Sequence, residues 1–160
     1  MNIFIVRHGI AEDNAKGGDR ARELTEEGRK KMKEAATGFA RIEPEIDHIF
    51  SSPLVRAVQT AEIVAKALEH GDPVEIMEEL SPGYSPEQVL SRLSTLKKAE
   101  SIVLAGHEPN CSELAAHLLG RAHLEFKKGA ICLIEADPVS AGKGILIWHL
   151  SPQTLRLMAK

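Results

Sequence analysis

The chain has 160 residues, 43% hydrophobic and 27% charged, which is the size and balance of one globular domain with a full core. Its net charge of −3, with the basic residues scattered rather than striped, gives no electrostatic footprint for nucleic acid. No apolar run reaches the length that crosses a bilayer. The amino terminus enters a strand directly, without a basic leader. Cys111 and Cys132 are too few for a disulfide framework and lack metal-site spacing. The expectation is a single domain over residues 1–160, cytoplasmic, with reduced thiols, no metal, no cofactor and no membrane or nucleic-acid partner.

Asn2-Ile3-Phe4-Ile5-Val6 is an apolar run of strand formers that stops at Arg7-His8-Gly9. A strand ending this way lifts two ionisable side chains to the carboxyl edge of its sheet, where open α/β sheets bind ligands. A polar loop over 12–22 follows, expected to be mobile and beside the site. Leu24-Thr25-Glu26-Glu27-Gly28 then opens a helix, with Thr25 as cap and acidic residues in the first turn. Met32, Ala35, Ala36, Phe39 and Ala40 recur at helical spacing, and the helix should end before Pro44.

Residues 46–50 read as a second strand, closed by Ser51-Ser52-Pro53. Serine suits a helix cap and proline a first turn, so a helix is expected from about Pro53 to Gly71, with Arg56 in its first turn. Exposed N–H groups at such a helix start already favour an anion. A short strand over 74–77, a helix over 86–96 and an apolar strand over 101–105 come next. That last strand runs into Gly106-His107-Glu108-Pro109-Asn110, a second strand stopping at a histidine, and a helix with Leu114, Ala115 and Leu118 on its core face follows. Residues 130–136 and 144–150 read as a hairpin, so at least one strand should oppose the parallel set. The fold expected is a three-layer α/β/α sandwich.

Three strand ends thus deliver Arg7 with His8, Arg56, and His107 to one edge. Two guanidiniums and two helix starts make a strong site for a tetrahedral dianion, because arginine pairs phosphate oxygens bidentately and keeps its charge. An imidazole there can attack phosphorus, and the resulting phosphohistidine can be hydrolysed by water. The second histidine can donate to an equatorial oxygen in the transition state. This is covalent phosphoryl transfer without a metal. No Walker-type phosphate loop is present.

Arg7-His8-Gly9, the segment Ser51-Ser52-Pro53-Leu54-Val55-Arg56-Ala57-Val58-Gln59-Thr60-Ala61 and Gly106-His107 resemble the three signatures of the histidine phosphatase (phosphoglycerate mutase-like) superfamily. The match runs in order from Met1 to about Leu119. The resemblance implies His8 as the phosphorylated nucleophile, with Arg7, Arg56 and His107 as the phosphate pocket. Length and the closing Trp148-His149-Leu150-Ser151-Pro152 are similar to the small SixA-type phosphohistidine phosphatases, implying a phosphohistidine-bearing protein, such as a phosphorelay carrier, as partner.

A physical consideration points the same way. Residues 78–100 have room for one helix and a turn but no lid subdomain, so the pocket should be open and shallow, suiting a phosphorylated side chain on another protein. Phosphomonoesters expel an alkoxide and need a positioned acid. A phosphoramidate expels an imidazole of pKa about 6.5, which needs little help. Glu79 occupies roughly the place where larger relatives in the family keep their acid, so the resemblance implies it as the candidate general acid.

Taken alone, Arg7-His8 would be a surface turn and Arg56 an exposed helix arginine; the repeated strand-end pattern reverses the first reading for Arg7, His8 and His107, and the surrounding 51–61 segment reverses the second. His48, His70, His117, His123 and His149 are assigned surface or core-edge roles, Cys111 a structural one, and Lys30, Lys31 and Lys33 a solvated helix face or a docking surface for an acidic partner. Two competing functions remain open: a small-molecule phosphomonoesterase or mutase on the same fold, and a phosphate-reading module without turnover.

Overall fold

The computed structural model describes residues 1–42, 45–96, 98–120 and 123–160. In chain order these form β1 (Asn2–Arg7), α1 (Glu26–Ala40), β2 (His48–Ser51), α2 (Val55–Ala67), β3 (Glu75–Ile76), α3 (Pro86–Leu93), β4 (Ser101–Gly106), α4 (Asn110–Leu119), β5 (Ile131–Ala136), β6 (Gly144–Leu150) and α5 (Pro152–Met158). The strands make one sheet in the order β3-β2-β4-β1-β5-β6. The first four are parallel, and β5 runs against both β1 and β6. This is the α/β/α sandwich with its antiparallel hairpin.

The central strands are apolar on both faces because both faces are covered. In β1, Ile3 and Ile5 join a core with Val89 and Leu93 of α3 and Leu114 and Leu118 of α4. Phe4 and Val6, one residue out of phase, join Met32 and Phe39 of α1, Val64 of α2 and Leu155 of α5. Residues 102–105 of β4 alternate between the same two cores. Phe4 meets Phe39 edge-on at 5.2 Å and lies 5.8 Å from Trp148, an arrangement favoured by the ring quadrupoles.

Local signals set most boundaries. Thr25 caps α1, its hydroxyl accepting the Gly28 N–H at 2.9 Å. The second helix departs from expectation: it starts at Val55 and ends at Ala67. At its start the Ser52 hydroxyl is turned toward His107 instead of capping; beyond its end Glu69 takes a φ of 54°, reversing the chain. β3 is two residues, β2 runs 48–51, and α3 stops at Leu93. Among the described residues of 78–100, a 3₁₀ turn over Glu78–Leu80 and α3 are the only helical elements, and no lid subdomain is present.

The helix α5 had no counterpart in the sequence reading. Ser151 caps it by accepting the Thr154 N–H at 3.1 Å, and Leu155 is fully buried. It approaches α1 at Gly38, where a Cβ would lie 1.8 Å from the Leu155 carbonyl oxygen. No helix among the described residues is long and apolar enough to cross a membrane. Gly38→Ala must therefore push α5 off the sheet. We expect it to cost about 2–3 kcal/mol, read as a lowered midpoint in urea or heat; an unchanged midpoint would contradict the close approach.

Candidate active site

The site grows out of strand register. In the parallel pairing of β1 with β4, Arg7 is opposite Gly106, so His8 and His107 each stand one residue beyond the ladder at the same height. The ladder reaches that far, since the His8 N–H donates to the Gly106 carbonyl at 3.0 Å. On the other side of β4, Ser51 is opposite Ala105 and the Ser52 N–H donates to the Ala105 carbonyl at 3.0 Å. Three adjacent strands thus end in Ser52, His107 and His8.

The two imidazole rings lie 5.1 Å apart between centroids and are almost wholly buried, 7% exposed at His8 and 2% at His107. Nδ1 of His8 is 2.7 Å from the Gly9 carbonyl oxygen. A carbonyl only accepts, so Nδ1 carries the proton and Nε2 keeps its lone pair. Burial, with the charges of Arg56, Arg7 and Lys128 adding to it against the Gly9 bond, pulls the His8 pKa down to about 4. His107, buried beside His8 and Arg56, is pulled down to about 3. Both rings are neutral near pH 7.

His107 is oriented by Ser52. Its Nε2 lies 2.8 Å from Ser52 Oγ, which also accepts the Leu54 N–H at 3.3 Å. Among the described residues the Ser52 hydroxyl proton has no acceptor other than this Nε2. Donation from Ser52 places the remaining ring proton on Nδ1, a buried atom with no hydrogen-bond partner among the described residues.

The helix α2 ties the strand ends together through three residues on one face, at 56, 59 and 60. Thr60 Oγ1 accepts the Gly9 N–H at 3.1 Å and donates to the Arg56 carbonyl at 2.7 Å. Gln59 Oε1 accepts the Leu24 N–H at 2.8 Å. Arg56, 5% exposed, donates to the Asp19 carbonyl at 2.7 Å and to its carboxylate at 3.0 Å. Hydrogen bonds from Arg22 and Arg56 hold the Asp19 carboxyl below its usual pKa. The 12–22 loop is therefore pinned to the site by a short 3₁₀ turn at Asp19–Ala21. Asp19 was not singled out from the sequence, and Ser52, Gln59 and Thr60 entered only within the 51–61 segment; the i, i+3 and i+4 spacing of Arg56, Gln59 and Thr60 was the available signal.

Arg7 donates to the Phe126 carbonyl, and the Gly129 N–H reaches the Arg7 and His8 carbonyls at 3.1 and 3.2 Å, so the loop before β5 closes over the end of β1. Arg7 Nε and Arg56 Nε, like His107 Nδ1, are buried without a partner among the described residues. An unsatisfied buried donor costs about 1–3 kcal/mol. Three of them around a neutral, nucleophilic imidazole make a cluster suited to an oxygen-rich anion.

Glu79 makes no hydrogen bond or ion pair to this cluster among the described residues. It is half-buried in the 3₁₀ turn over Glu78–Leu80, lining a small cavity with Gly106, Asn110 and Cys111. Cys111 is buried and its thiol pKa is pushed far up by desolvation, as expected for a structural thiol. His48 pairs with Glu75 at 2.8 Å and His117 with Glu87 at 3.4 Å, both near the surface, while the His149 ring packs on Phe126 at 4.8 Å.

The sandwich carries at one sheet edge a cluster of two neutral imidazoles and two guanidiniums. Residues 3–81 match the histidine phosphatase superfamily, branch 1. The phosphohistidine phosphatase SixA of Escherichia coli is 31% identical over 160 residues, covering 98% of both chains. An uncharacterized protein of Picosynechococcus is 37% identical over 139 residues, 82% of each chain. The structure of the protein histidine phosphatase SixA complexed with tungstate superposes with a TM-score of 0.88 at 31% identity, covering 97% of this chain and 99% of that one. The chain belongs to the histidine phosphatase superfamily, as a SixA-type member, and is a phosphatase.

Burial of the two neutral rings has a consequence for stability. Both native pKa values lie below the ordinary 6.5, so the unfolded chain takes up protons first as pH falls. Their contribution is complete above about pH 6.5 and is lost as pH drops toward the native values. Between about pH 6.5 and 5, above most carboxylate titration, the urea midpoint should decline, and His107→Gln should flatten that decline. An equal slope in the variant would mean His107 is charged in the folded protein.

Proposed function

We propose that the protein, acting as one domain over residues 1–160, hydrolyses phosphohistidine on another protein through a transient phosphate on Nε2 of His8. The lone pair of Nε2 attacks phosphorus as the substrate's P–N bond breaks. A substrate ring whose second nitrogen is protonated leaves as neutral imidazole. Water then attacks phosphorus, the P–Nε2 pair returns to His8, and inorganic phosphate carries off the water proton. Arg7 and Arg56 hold the non-bridging oxygens, and Nδ1–H of His107, set by Ser52, donates to one of them as charge shifts. No step is routed through a metal.

The observation that carries this is His8 itself: one ring nitrogen is fixed on the Gly9 carbonyl and the other is left basic, 5.1 Å from the His107 ring. Relatives named phosphohistidine phosphatases support the substrate class. So does the lack of a lid subdomain among the described residues of 78–100, since an uncovered edge admits a side chain on a folded partner such as a phosphorelay carrier. A cytoplasmic location goes with it, supported by two unpaired, buried cysteines that suit a reducing compartment.

His8→Ala should abolish turnover of a phosphohistidine-bearing protein and the acid-labile phosphoenzyme with it; radiolabel persisting in that variant would move the nucleophile elsewhere. Arg56→Ala should weaken vanadate and phosphate binding by about tenfold or more, since charge-assisted bonds contribute roughly 1.5–3 kcal/mol. Glu79→Gln tests the proton donor. With an imidazole leaving group the rate should change by less than about threefold, whereas a phosphomonoester, which needs an acid, should suffer by about 10²-fold if Glu79 supplies it.

A further inference from the structure

Beside the phosphate cluster runs a second feature that turnover alone does not use. It is a groove of about 470 Å³ bounded by α1, the loop over residues 125–129 and α5, with Arg7 and Gly9 in its wall. Lys31, Lys127, Lys128 and Arg156 line it against one carboxylate, Glu125. Lys31 pairs with Glu27, but Lys127, Lys128 and Arg156 have no ion-pair partner among the described residues. In a chain of net charge −3 this is a local excess of cations. Its field reaches the nucleophile, since Lys128 is among the charges acting on the His8 ring.

The geometry points to this groove as the docking track for an acidic surface stretch of the phosphohistidine-bearing protein, carboxylates of the partner lying along Lys127, Lys128 and Arg156 while its phosphorylated ring enters at His8. The assignment rests on the phosphohistidine reading above. The groove is several times larger than a phosphate, and the partly exposed Ile10 and Pro152 give it apolar surface between the cations, which suits polypeptide side chains better than a free anion. Charges placed beside rather than within a reacting centre mainly raise the encounter rate and select partners. They also make association sensitive to salt, because the screening length shrinks from about 10 Å at 0.1 M to about 3 Å at 1 M.

The test compares two substrates on the intact protein: a phosphohistidine carrier protein with an acidic surface, and the small molecule phosphoramidate. The double variant Lys127→Gln with Arg156→Gln alters two groove cations that take no part in the proposed chemistry. The expected result is a fall of about tenfold in kcat/KM for the carrier and a shallower salt dependence, with phosphoramidate turnover within about twofold of the parent. Lys127→Arg with Arg156→Lys should restore the carrier rate, which separates charge from misfolding. Equal losses on both substrates, or no loss on the carrier, would overturn the docking assignment while leaving His8 chemistry standing. If the parent consumes neither substrate, the phosphohistidine reading falls and the docking track falls with it. Anionic phospholipid vesicles bound through Lys127 and Arg156, with carrier turnover unaffected, would assign the groove to a membrane surface instead.

Discussion

The parallel register of β1 on β4 is the constraint on which the site depends. Pairing Arg7 with Gly106 puts the next residues, His8 and His107, at one height, and the bond from the His8 N–H to the Gly106 carbonyl carries the ladder up to them. Side chains alternate between faces of a strand, so a slip of one residue would send Phe4 and Val6 into the wrong core and separate the two imidazoles. Correct burial of the strand interiors and correct placement of the two imidazoles are therefore the same event. A strand that is apolar throughout cannot trade one against the other.

The helix α2 converts that alignment into a pocket. From one face it holds the turn at Gly9 through Thr60, the loop end at Leu24 through Gln59, and Asp19 through Arg56. These are loops that would otherwise be tethered only at their ends. The cluster they enclose keeps two imidazoles neutral beside two guanidiniums. Burial chiefly disfavours protonation there and the Arg56 and Arg7 charges add to it, so in the proposed reading an arriving phosphate dianion would offset the charge contribution. Asp19, exposed on the outside, meanwhile satisfies part of Arg56 with a carboxylate and a carbonyl, groups of the same acceptor kind as a phosphate oxygen.

Function follows from how little covers the site. Among the described residues of 78–100 stand one short helix and a 3₁₀ turn, where a longer insertion could enclose a metabolite. The cationic groove lies on the opposite flank, between α1 and α5, continuous with Arg7. In the proposed reading, a buried centre beside an asymmetrically charged groove acts on a group presented by another macromolecule, with chemistry and partner choice on different residues.

The amino-acid sequence by itself determined the alternation of strands and helices, the sandwich, and the identities of Arg7, His8, Arg56 and His107 as candidates. It could do so because apolar runs, capping residues and strand-end motifs are local, and their physical causes lie within a few residues of each other. It left α5 unread, because seven residues at the chain end carry too short a period to register, and it gave Ser52 to a helix cap. Only the tertiary structure turned Ser52 toward His107, pinned Asp19 on Arg56, and set Lys127 and Arg156 across one groove. Each of those depends on partners 29 to 55 positions apart in the chain or on facing helices. Such pairings are decided by packing of the two cores, which no stretch of sequence read alone contains.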